Sequence, residues 1–329
     1  MKRKIIRQYF LISMLFTLIC IFVNSSWAEE KYPSRPIDLW CGSAPGGQGD
    51  LTNRAIAKKL EQYLGVTVVP GNKPGGGWAV VVAFLAGSRP DGYTMALLTP
   101  EQVIQNILLG RANYKLEDFY IIGQIYYISN VWAVSADSPW KTIQEFIDYA
   151  RKNPGVKYGH PGVGTASFLR MENINKRADL GMVNVPFRSD PENISAVLGK
   201  HIPIACISAM AGKVQADAGK MRILFSFEPP SEIGLDPTIP DLKKTFGEII
   251  GNIDIDIPFN LAVPAKTPIE IVQVLRTALE KTVKDPEFVS VMRGYNHRVQ
   301  YVDGKIIMEN LPKRMEIDRK ILELTGRLK

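Results

Sequence analysis

Hydrophobic and polar residues alternate in short runs that predict strands, and segments with helical spacing separate those runs. The run IDLWC (37–41) alternates with period two, and apolar residues at Ile56, Leu60 and Leu64 then recur at helical spacing before Gly65. VTVV and GYTMALLT predict two further strands, and NKPGGGWAVVVAFLAG predicts a loop that leads into a helix. This order favours an α/β fold in which a mostly parallel sheet is flanked by helices.

A second unit of the same kind begins near residue 126. VWAV predicts a strand, and Thr142 with Glu145 forms a capping box that starts the next helix. Asp190 is expected to cap a helix whose first residue is Pro191, and Thr267 is expected to cap another. The proline-rich stretch EPPSEIGLDPTIPDLKK predicts a long surface loop, and the charge-rich C-terminal helix is expected to pack on the first unit.

The N-terminus has the three parts of an export signal. Four basic residues precede an apolar run over residues 10–23, and Ser26-Trp27-Ala28 supplies a small-x-small cleavage site. The apolar run is short for a membrane span, so a retained anchor is the less favoured alternative. Lipidation of Cys20 is disfavoured because Ile19 is bulky. We expect cleavage after Ala28 and a periplasmic mature chain.

Net charge excludes a nucleic-acid-binding protein. Removal of the signal takes away four basic residues and no acidic ones, which lowers the formal charge from +7 to +3. That balance attracts anionic small molecules but is not a clustered basic face. About 300 mature residues exceed what one core usually serves, so two domains are expected.

Cysteine and histidine usage indicates neither a metal site nor a cofactor. The mature chain keeps Cys41 and Cys206, which fall on predicted strands of different domains, so a disulfide is disfavoured. No Cys-x-x-Cys or His-Glu-x-x-His occurs, and the three histidines are far apart in the sequence. We therefore expect no metal and no cofactor.

Three glycine-rich loops follow predicted strands and open helices, at residues 44–50, 73–77 and 159–165. Helix N-termini at the carboxyl ends of strands present unpaired amides and a partial positive charge, which suits an anion. None of these loops carries the Lys-Ser/Thr pair that a triphosphate site needs. The loops favour a carboxylate, although any one of them could be a simple tight turn.

Several motifs in succession resemble one family. YPSRPIDL, APGGQGDLTNRAIAKKL, GNKPGGG, RPDGYTMALLT, NPGVKYGHPGVGTAS and AVPAKTPIEIVQVLRTALEKTVKDPEF are similar, in this order, to the solute-binding receptors of tripartite tricarboxylate transporters, the TctC-like or Bug family. The resemblance implies a two-lobed, type II-like periplasmic binding protein with a ligand cleft between lobes that are joined by two crossing segments. It implies a monomeric receptor, not an enzyme, that delivers a carboxylate-bearing solute to membrane permease subunits.

The resemblance also implies domain boundaries and binding residues. Residues 1–28 are the signal peptide, 29–130 and 259–329 form lobe 1, and 131–258 form lobe 2. The implied ligand-binding residues are Ser43, Ala44, Gly46, Gly47, Gln48, Asp50, Thr99, His160, Gly164, Thr165, Phe168, Arg188 and Ser208. Four structural alternatives stay open: Asp50 as a helix N-cap, His160 as an exposed loop residue, Trp78 as core or hinge packing, and Arg188 as a solvent-facing charge.

Four departures from the family pattern affect the expected size and polarity of the pocket and therefore the kind of solute. Ser43 stands where many relatives carry an aromatic residue, Phe168 replaces a histidine, Arg188 lies in Phe-Arg-Ser instead of Tyr-Lys-Gly, and Ile207 replaces an aspartate. A roomier and less polar pocket is expected. We expect a monocarboxylate or dicarboxylate with an apolar or aromatic body, its acid end on the loops and Arg188 and its body against Phe168.

The sequence leaves two other functions open. A receptor of this kind could signal to a sensor partner instead of feeding a permease. An exported α/β hydrolase is disfavoured because the chain lacks a Gly-x-Ser-x-Gly elbow and a recognisable Ser, His and Asp order.

The signal sequence makes the first prediction. Because the cleavage site follows Ala28, N-terminal sequencing of the protein from the periplasmic fraction should begin at Glu29. A sequence that begins at Met1, or a lipid on Cys20, would contradict it.

Overall fold

Two β-sheets organise the chain. The structure, a computed structural model, describes residues 31–160, 162, 165–250, 257–324, 326 and 328. The predicted signal peptide and Gly164 lie outside the described residues.

The strands of the described residues are β1 (Ile37–Cys41), β2 (Val68–Asn72), β3 (Thr94–Leu98), β4 (Phe119–Tyr127), β5 (Asn130–Ser135), β6 (Lys157–His160), β7 (Val183–Pro186), β8 (Ile204–Ser208), β9 (Met221–Ser226), β10 (Pro258–Pro264) and β11 (Arg298–Val299).

Helices flank both sheets. They are α1 (Gln48–Leu64), α2 (Ala79–Ala86), α3 (Pro100–Leu108), α4 (Ile143–Lys152), α5 (Ala166–Arg177), α6 (Asp190–Leu198), α7 (Ala209–Asp217), α8 (Leu242–Ile250), α9 (Ile269–Lys284), α10 (Pro286–Gly294) and α11 (Gly304–Leu324). The predicted capping box of α4 is confirmed, because the Thr142 hydroxyl accepts the Glu145 amide at 3.2 Å.

Each sheet is mixed, so the expectation of mostly parallel sheets is wrong in this detail. Within the described residues, the first sheet has the order β11-β4-β10-β3-β1-β2 and the second has the order β7-β6-β8-β5-β9. Parallel pairs join β2, β1 and β3 in the first sheet and β7, β6 and β8 in the second. Strands β5 and β10 each enter a sheet from the other one and pair antiparallel on both sides. The short β11 also pairs antiparallel with β4.

Several element boundaries differ from the sequence expectations. Strand β2 extends to Asn72 because Gly71 allows the Trp40 ring to lie against the backbone, where a Cβ would stand 2.5 Å from Cζ3. Ser189, not Asp190, is the N-cap of α6. Thr267 does not cap α9, since its hydroxyl donates to the Pro264 carbonyl at 2.7 Å.

The predicted surface loop between β9 and α8 is partly buried. It contains a short 3-10 turn, Pro230–Ile233, and the side chain of Ile233 is fully buried in the second lobe's core. Proline content predicted the lack of a long helix, but it did not predict that an apolar side chain of this stretch packs inward.

Each sheet has apolar clusters on its two faces, which makes two lobes. The second lobe's largest cluster centres on Trp132 of β5, whose ring packs against Phe225, Phe227 and Phe246. Aromatic groups of this size dominate the burial energy of a core. Cys41 and Cys206 are both free and buried, in the first and second sheet respectively.

The lobes are joined by two chain crossings and by the C-terminal helix. The first crossing is the short link between β4 and β5, and the second leads from α8 in the second lobe to β10 in the first. Helix α11 packs on α3 and β4 in the first lobe and also on α5 in the second. The expectation that it packs on lobe 1 was therefore incomplete. None of the helices that the structure describes is both long and apolar enough to cross a membrane.

A buried ion cluster lies at the junction. Glu228, just after β9, accepts Arg170 of α5 at 3.4 Å and Arg298 of β11 at 3.2 Å. The side chains of Arg170 and Glu228 are each only 2% exposed. Since buried charges require partners, this cluster fixes α5 and the segment after β9 against the first sheet.

His297 makes stability depend on pH. Burial lowers the pKa of His297 from 6.5 to about 3, and its ring lies against Tyr126 with centroids 4.5 Å apart. Between these two pH values the unfolded chain binds a proton at this position and the folded chain does not. Stability therefore falls as pH drops from about 6.5 toward 3.

His297→Gln should flatten this part of the stability profile. Between pH 7 and pH 5 the free energy of unfolding, measured with urea, should fall by about 2 kcal/mol more in the wild type than in the variant. His201→Gln, at an exposed position, is the matched control and should keep the wild-type slope. Equal slopes for wild type and His297→Gln would contradict the prediction.

Candidate functional site

Helix N-termini gather at one edge of each sheet, beside the crossings. In the first lobe β1 leads into α1 and β3 into α3, and in the second lobe β6 leads into α5 and β8 into α7. Strand β4 ends at this edge of the first sheet and β5 begins at this edge of the second. In α/β sheets ligands bind at the carboxyl ends of the strands, so this junction is the candidate site.

Neighbouring side chains hold the first loop, residues 44–50, and the two residues before it in place. The Asn72 side chain donates to the Ser43 carbonyl at 3.0 Å, and the Trp78 ring packs so closely on Gly42 that a Cβ there would stand 2.5 Å from it. A Cβ at Gly49 would likewise stand only 2.1 Å from Ser43 Oγ. Trp78 also meets Phe259 edge-on at 5.1 Å, in agreement with the packing alternative. The loop is thus held by Asn72 and Trp78, the two residues that flank the second glycine-rich loop.

The amides that the structure offers to an anion are not those expected. The Gly46 amide donates to Asp50 Oδ2 at 2.9 Å, and the Gly47 amide donates to the Ala44 carbonyl at 3.1 Å. Within the part of the chain that the structure describes, the amides of Gln48 and Gly49 have no acceptor, and neither does the buried Nε2 of Gln48. The donors available to a carboxylate therefore belong to Gln48 and Gly49, the two residues that follow Gly46 and Gly47.

Asp50 stabilises the loop and is not the N-cap of α1, which is Gly47. Burial would raise the pKa of Asp50, but the Gly46 amide and the Arg54 guanidinium, 3.1 Å away, hold it below its usual value. The carboxylate is thus ionised and already neutralised by Arg54. Gly46 can take a φ of +77°, which the turn requires at this position.

Thr99 caps α3 at the end of β3. Its hydroxyl accepts the Gln102 amide at 3.2 Å, and the residue is fully buried. A capping hydroxyl stabilises the helix by about 1 kcal/mol, so Thr99 has a structural role at the floor of the first lobe.

His160 and Thr165 shape the start of α5. His160 is fully buried, so the exposed-loop alternative is wrong, and its Nδ1 accepts the Gly162 amide at 3.2 Å. Thr165 is the N-cap of α5: its hydroxyl donates to the Gly162 carbonyl at 2.8 Å and accepts the Phe168 amide at 3.2 Å. Both side chains determine how the third loop leaves the sheet.

Phe168 does not offer a free apolar wall. It is 1% exposed, lies against the His160 ring with centroids 4.8 Å apart, and packs with Ile321 and Leu322 of α11. The C-terminal helix therefore covers the surface that was expected to take the body of the solute. The sequence could not reveal this contact because the two segments are about 150 residues apart.

Arg188 takes the solvent-facing alternative. Its side chain is 90% exposed and pairs with Glu192, one turn further along α6, at 2.7 Å. The expectation that Arg188 points into the cleft and forks onto a carboxylate is not met in this structure.

Ser208 ends β8 and caps α7, and it also has a partner that the sequence did not suggest. Its hydroxyl accepts the Ala211 amide at 3.3 Å, while its own amide donates to Asp190 Oδ2 at 3.2 Å. Burial raises the pKa of Asp190, and hydrogen bonds from Ser208 oppose that shift. Because Asp190 precedes Pro191, the sequence suggested a helix cap and not this hydrogen bond with the Ser208 amide.

The comparisons identify the family. The chain matches the family described as "Tripartite tricarboxylate transporter family receptor" over residues 52–324. The chain belongs to this family. A Cupriavidus necator relative, "UPF0065 protein in gbd 5'region", is 30% identical over 300 residues, which cover 90% of this chain and 89% of the relative.

Solved structures show the fold of the receptor. A TctC solute-binding protein from Polaromonas, without ligand, is 28% identical, with a TM-score of 0.71 over 89% of this chain and 99% of that one. An R. palustris protein with adipate is 21% identical, with a TM-score of 0.78 over 90% and 98% of the two chains. The two-lobed binding-protein fold expected from the sequence is therefore confirmed.

The donor set does not suit a cation. The described residues contain no group of three or more His, Cys, Asp and Glu side chains that could hold a metal ion. The first loop instead presents amide donors, and the carboxylate closest to it is already paired with Arg54. The charge and the free donors of this arrangement suit an anion better than a cation.

Gly49→Ala tests the first loop. A Cβ at Gly49 would stand 2.1 Å from Ser43 Oγ and 2.9 Å from Ser43 Cβ, so the loop and its free amides must shift. Affinity for the organic acid that the wild type binds best should fall at least about tenfold in calorimetric titration, a loss of about 1.4 kcal/mol.

The matched control is Gly294→Ala, where a Cβ would have no atom within 4 Å. It should bind like wild type, and both variants should keep the wild-type circular dichroism spectrum. Unchanged affinity in Gly49→Ala would remove the first loop from the site.

Proposed function

We propose that this protein is a periplasmic receptor that binds a small carboxylate and delivers it to a tripartite membrane permease. The observation that carries the proposal is the donor set at the start of α1, where the Gln48 and Gly49 amides and Gln48 Nε2 have no acceptor among the residues that the structure describes. Donors without a fixed cation suit an anion that must be bound and then released.

The pairing inside the first loop supports the same function. Asp50 would repel an anionic solute if its charge were unpaired, but Arg54 and the Gly46 amide share its Oδ2. The loop therefore keeps a carboxylate for its own rigidity without presenting a free negative charge to the solute. Rigid, preformed donors lower the entropic cost of binding.

Lobe boundaries and solute class are part of the proposal. Residues 29–130 and 259–329 form lobe 1 and residues 131–258 form lobe 2, a division that follows the strands of the two sheets except at Asn130 of β5 and Pro258 of β10. The related R. palustris structure with adipate supports a dicarboxylate-sized solute, although that protein shares only the fold with this chain. The mature chain is proposed to act as a monomer.

Native mass spectrometry of the protein isolated from the periplasm tests the proposal. A bound organic acid should travel with the protein, and calorimetry with that acid should give one site per chain. The acid should be recovered unchanged after incubation, because a receptor does not transform its solute.

Transport provides the second part of the test. Cells that lack this receptor should take up the identified acid more slowly than cells that carry it. A chemically altered acid after incubation would indicate an enzyme, and unchanged uptake in the deletion strain would contradict delivery to a permease.

A further inference from the structure

Asp190 lies at the cleft edge of the second lobe. It is the first residue of α6, and its Oδ2 accepts the Ser208 amide at 3.2 Å, at the point where β8 ends. The turn before it is tied to the third loop, because the Phe187 amide donates to the His160 carbonyl at 2.9 Å. Asp190 thus sits between the ends of β7 and β8, beside the start of the loop that leads to α5.

The helix caps do not need this carboxylate. Ser189 caps α6 by accepting the Glu192 amide, and the Ser208 hydroxyl caps α7. No cation pairs with Asp190 among the residues that the structure describes, in contrast to Asp50, which has Arg54. Asp190 is also only partly buried, so part of the residue remains accessible.

The two lobes therefore present opposite hydrogen-bonding groups at the same junction. The first loop offers donors, namely the Gln48 and Gly49 amides, whereas Asp190 offers an acceptor. Burial raises the pKa of Asp190, which agrees with a carboxyl group that lacks a neutralising partner and would gain from one. A solute that spans the junction would satisfy both sides if it had a carboxylate at one end and a donor elsewhere.

We propose that Asp190 accepts a hydrogen bond from a hydroxyl group of the solute, so that the receptor prefers hydroxy acids to the corresponding acids without the hydroxyl. This inference rests on the proposed function, since it assigns the second lobe's contact with the same carboxylate solute. A hydrogen bond to a carboxylate in a partly desolvated site should favour the hydroxy acid by about ten- to a hundredfold.

Calorimetric titration with acid pairs that differ by one hydroxyl tests this assignment. The pairs are succinate and malate, benzoate and 4-hydroxybenzoate, and hexanoate and 6-hydroxyhexanoate. In wild type the hydroxy member of the best-bound pair should bind at least about tenfold more tightly. Asp190→Ala should reduce this preference to less than about threefold while leaving affinity for the other member within about threefold.

Two further variants keep the result interpretable. Asp190→Asn retains an oxygen for the Ser208 amide and should give an intermediate preference, because a neutral amide is a weaker acceptor. It provides the test if Asp190→Ala does not fold. Glu192→Gln removes an exposed carboxylate from the same helix and should keep the wild-type preference.

The outcomes separate the two proposals. Acids that bind wild type with no hydroxyl preference, or a preference that survives in both Asp190 variants, would overturn the role of Asp190 and leave the receptor function intact. Failure of every acid to bind would contradict the proposed function and this inference with it.

Discussion

The pairing of Glu228 with Arg170 and Arg298 is the interaction on which the geometry of the site depends. Two of these three side chains are 2% exposed, so separating them would leave buried charges without partners, at a cost of several kcal/mol. Arg170 belongs to α5, the helix that the third loop opens, and Arg298 belongs to the first sheet. The cluster therefore sets the position of the second lobe's loop relative to the first lobe. Helix α11 reinforces this arrangement through Phe168, and the junction is closed on that side.

Most polar groups at the junction form hydrogen bonds within the protein, and only a few remain for a solute. Asp50 uses the Gly46 amide, the Ser208 and Thr165 hydroxyls cap helices, and Asn72 holds the Ser43 carbonyl. What remains at the first loop is a small set of donors. What remains in the second lobe is the carboxylate of Asp190, which has no cationic partner among the residues that the structure describes. A receptor built in this way recognises a solute through groups that its own secondary structure does not consume.

The sequence predicted local elements well where the signal was itself local. The capping box of Thr142 and Glu145, the end of α1 at Gly65 and the alternation of β1 are all present, because each depends on residues within a few positions of one another. The caps of α1 and α6 were misplaced by one to three residues, since Asp, Ser and Gly near a helix start compete for the same position. The mixed direction of the sheets followed from the two crossings, which the pattern of strands and helices alone does not specify.

Motif order and hydrophobic period are properties of the chain, so the sequence was sufficient to predict the fold class, the family and the position of the glycine-rich loops. Which groups of those loops remain available depends on the folded chain. Gly46 is used by Asp50, Phe168 is covered by α11, and Arg188 turns to solvent, whereas Asp190 is brought to Ser208. The contacts of Phe168 and Asp190 join residues that are far apart in the chain, whereas those of Gly46 and Arg188 are made within four residues. In both cases a hydrogen-bonding group is free only when all its possible partners have been placed.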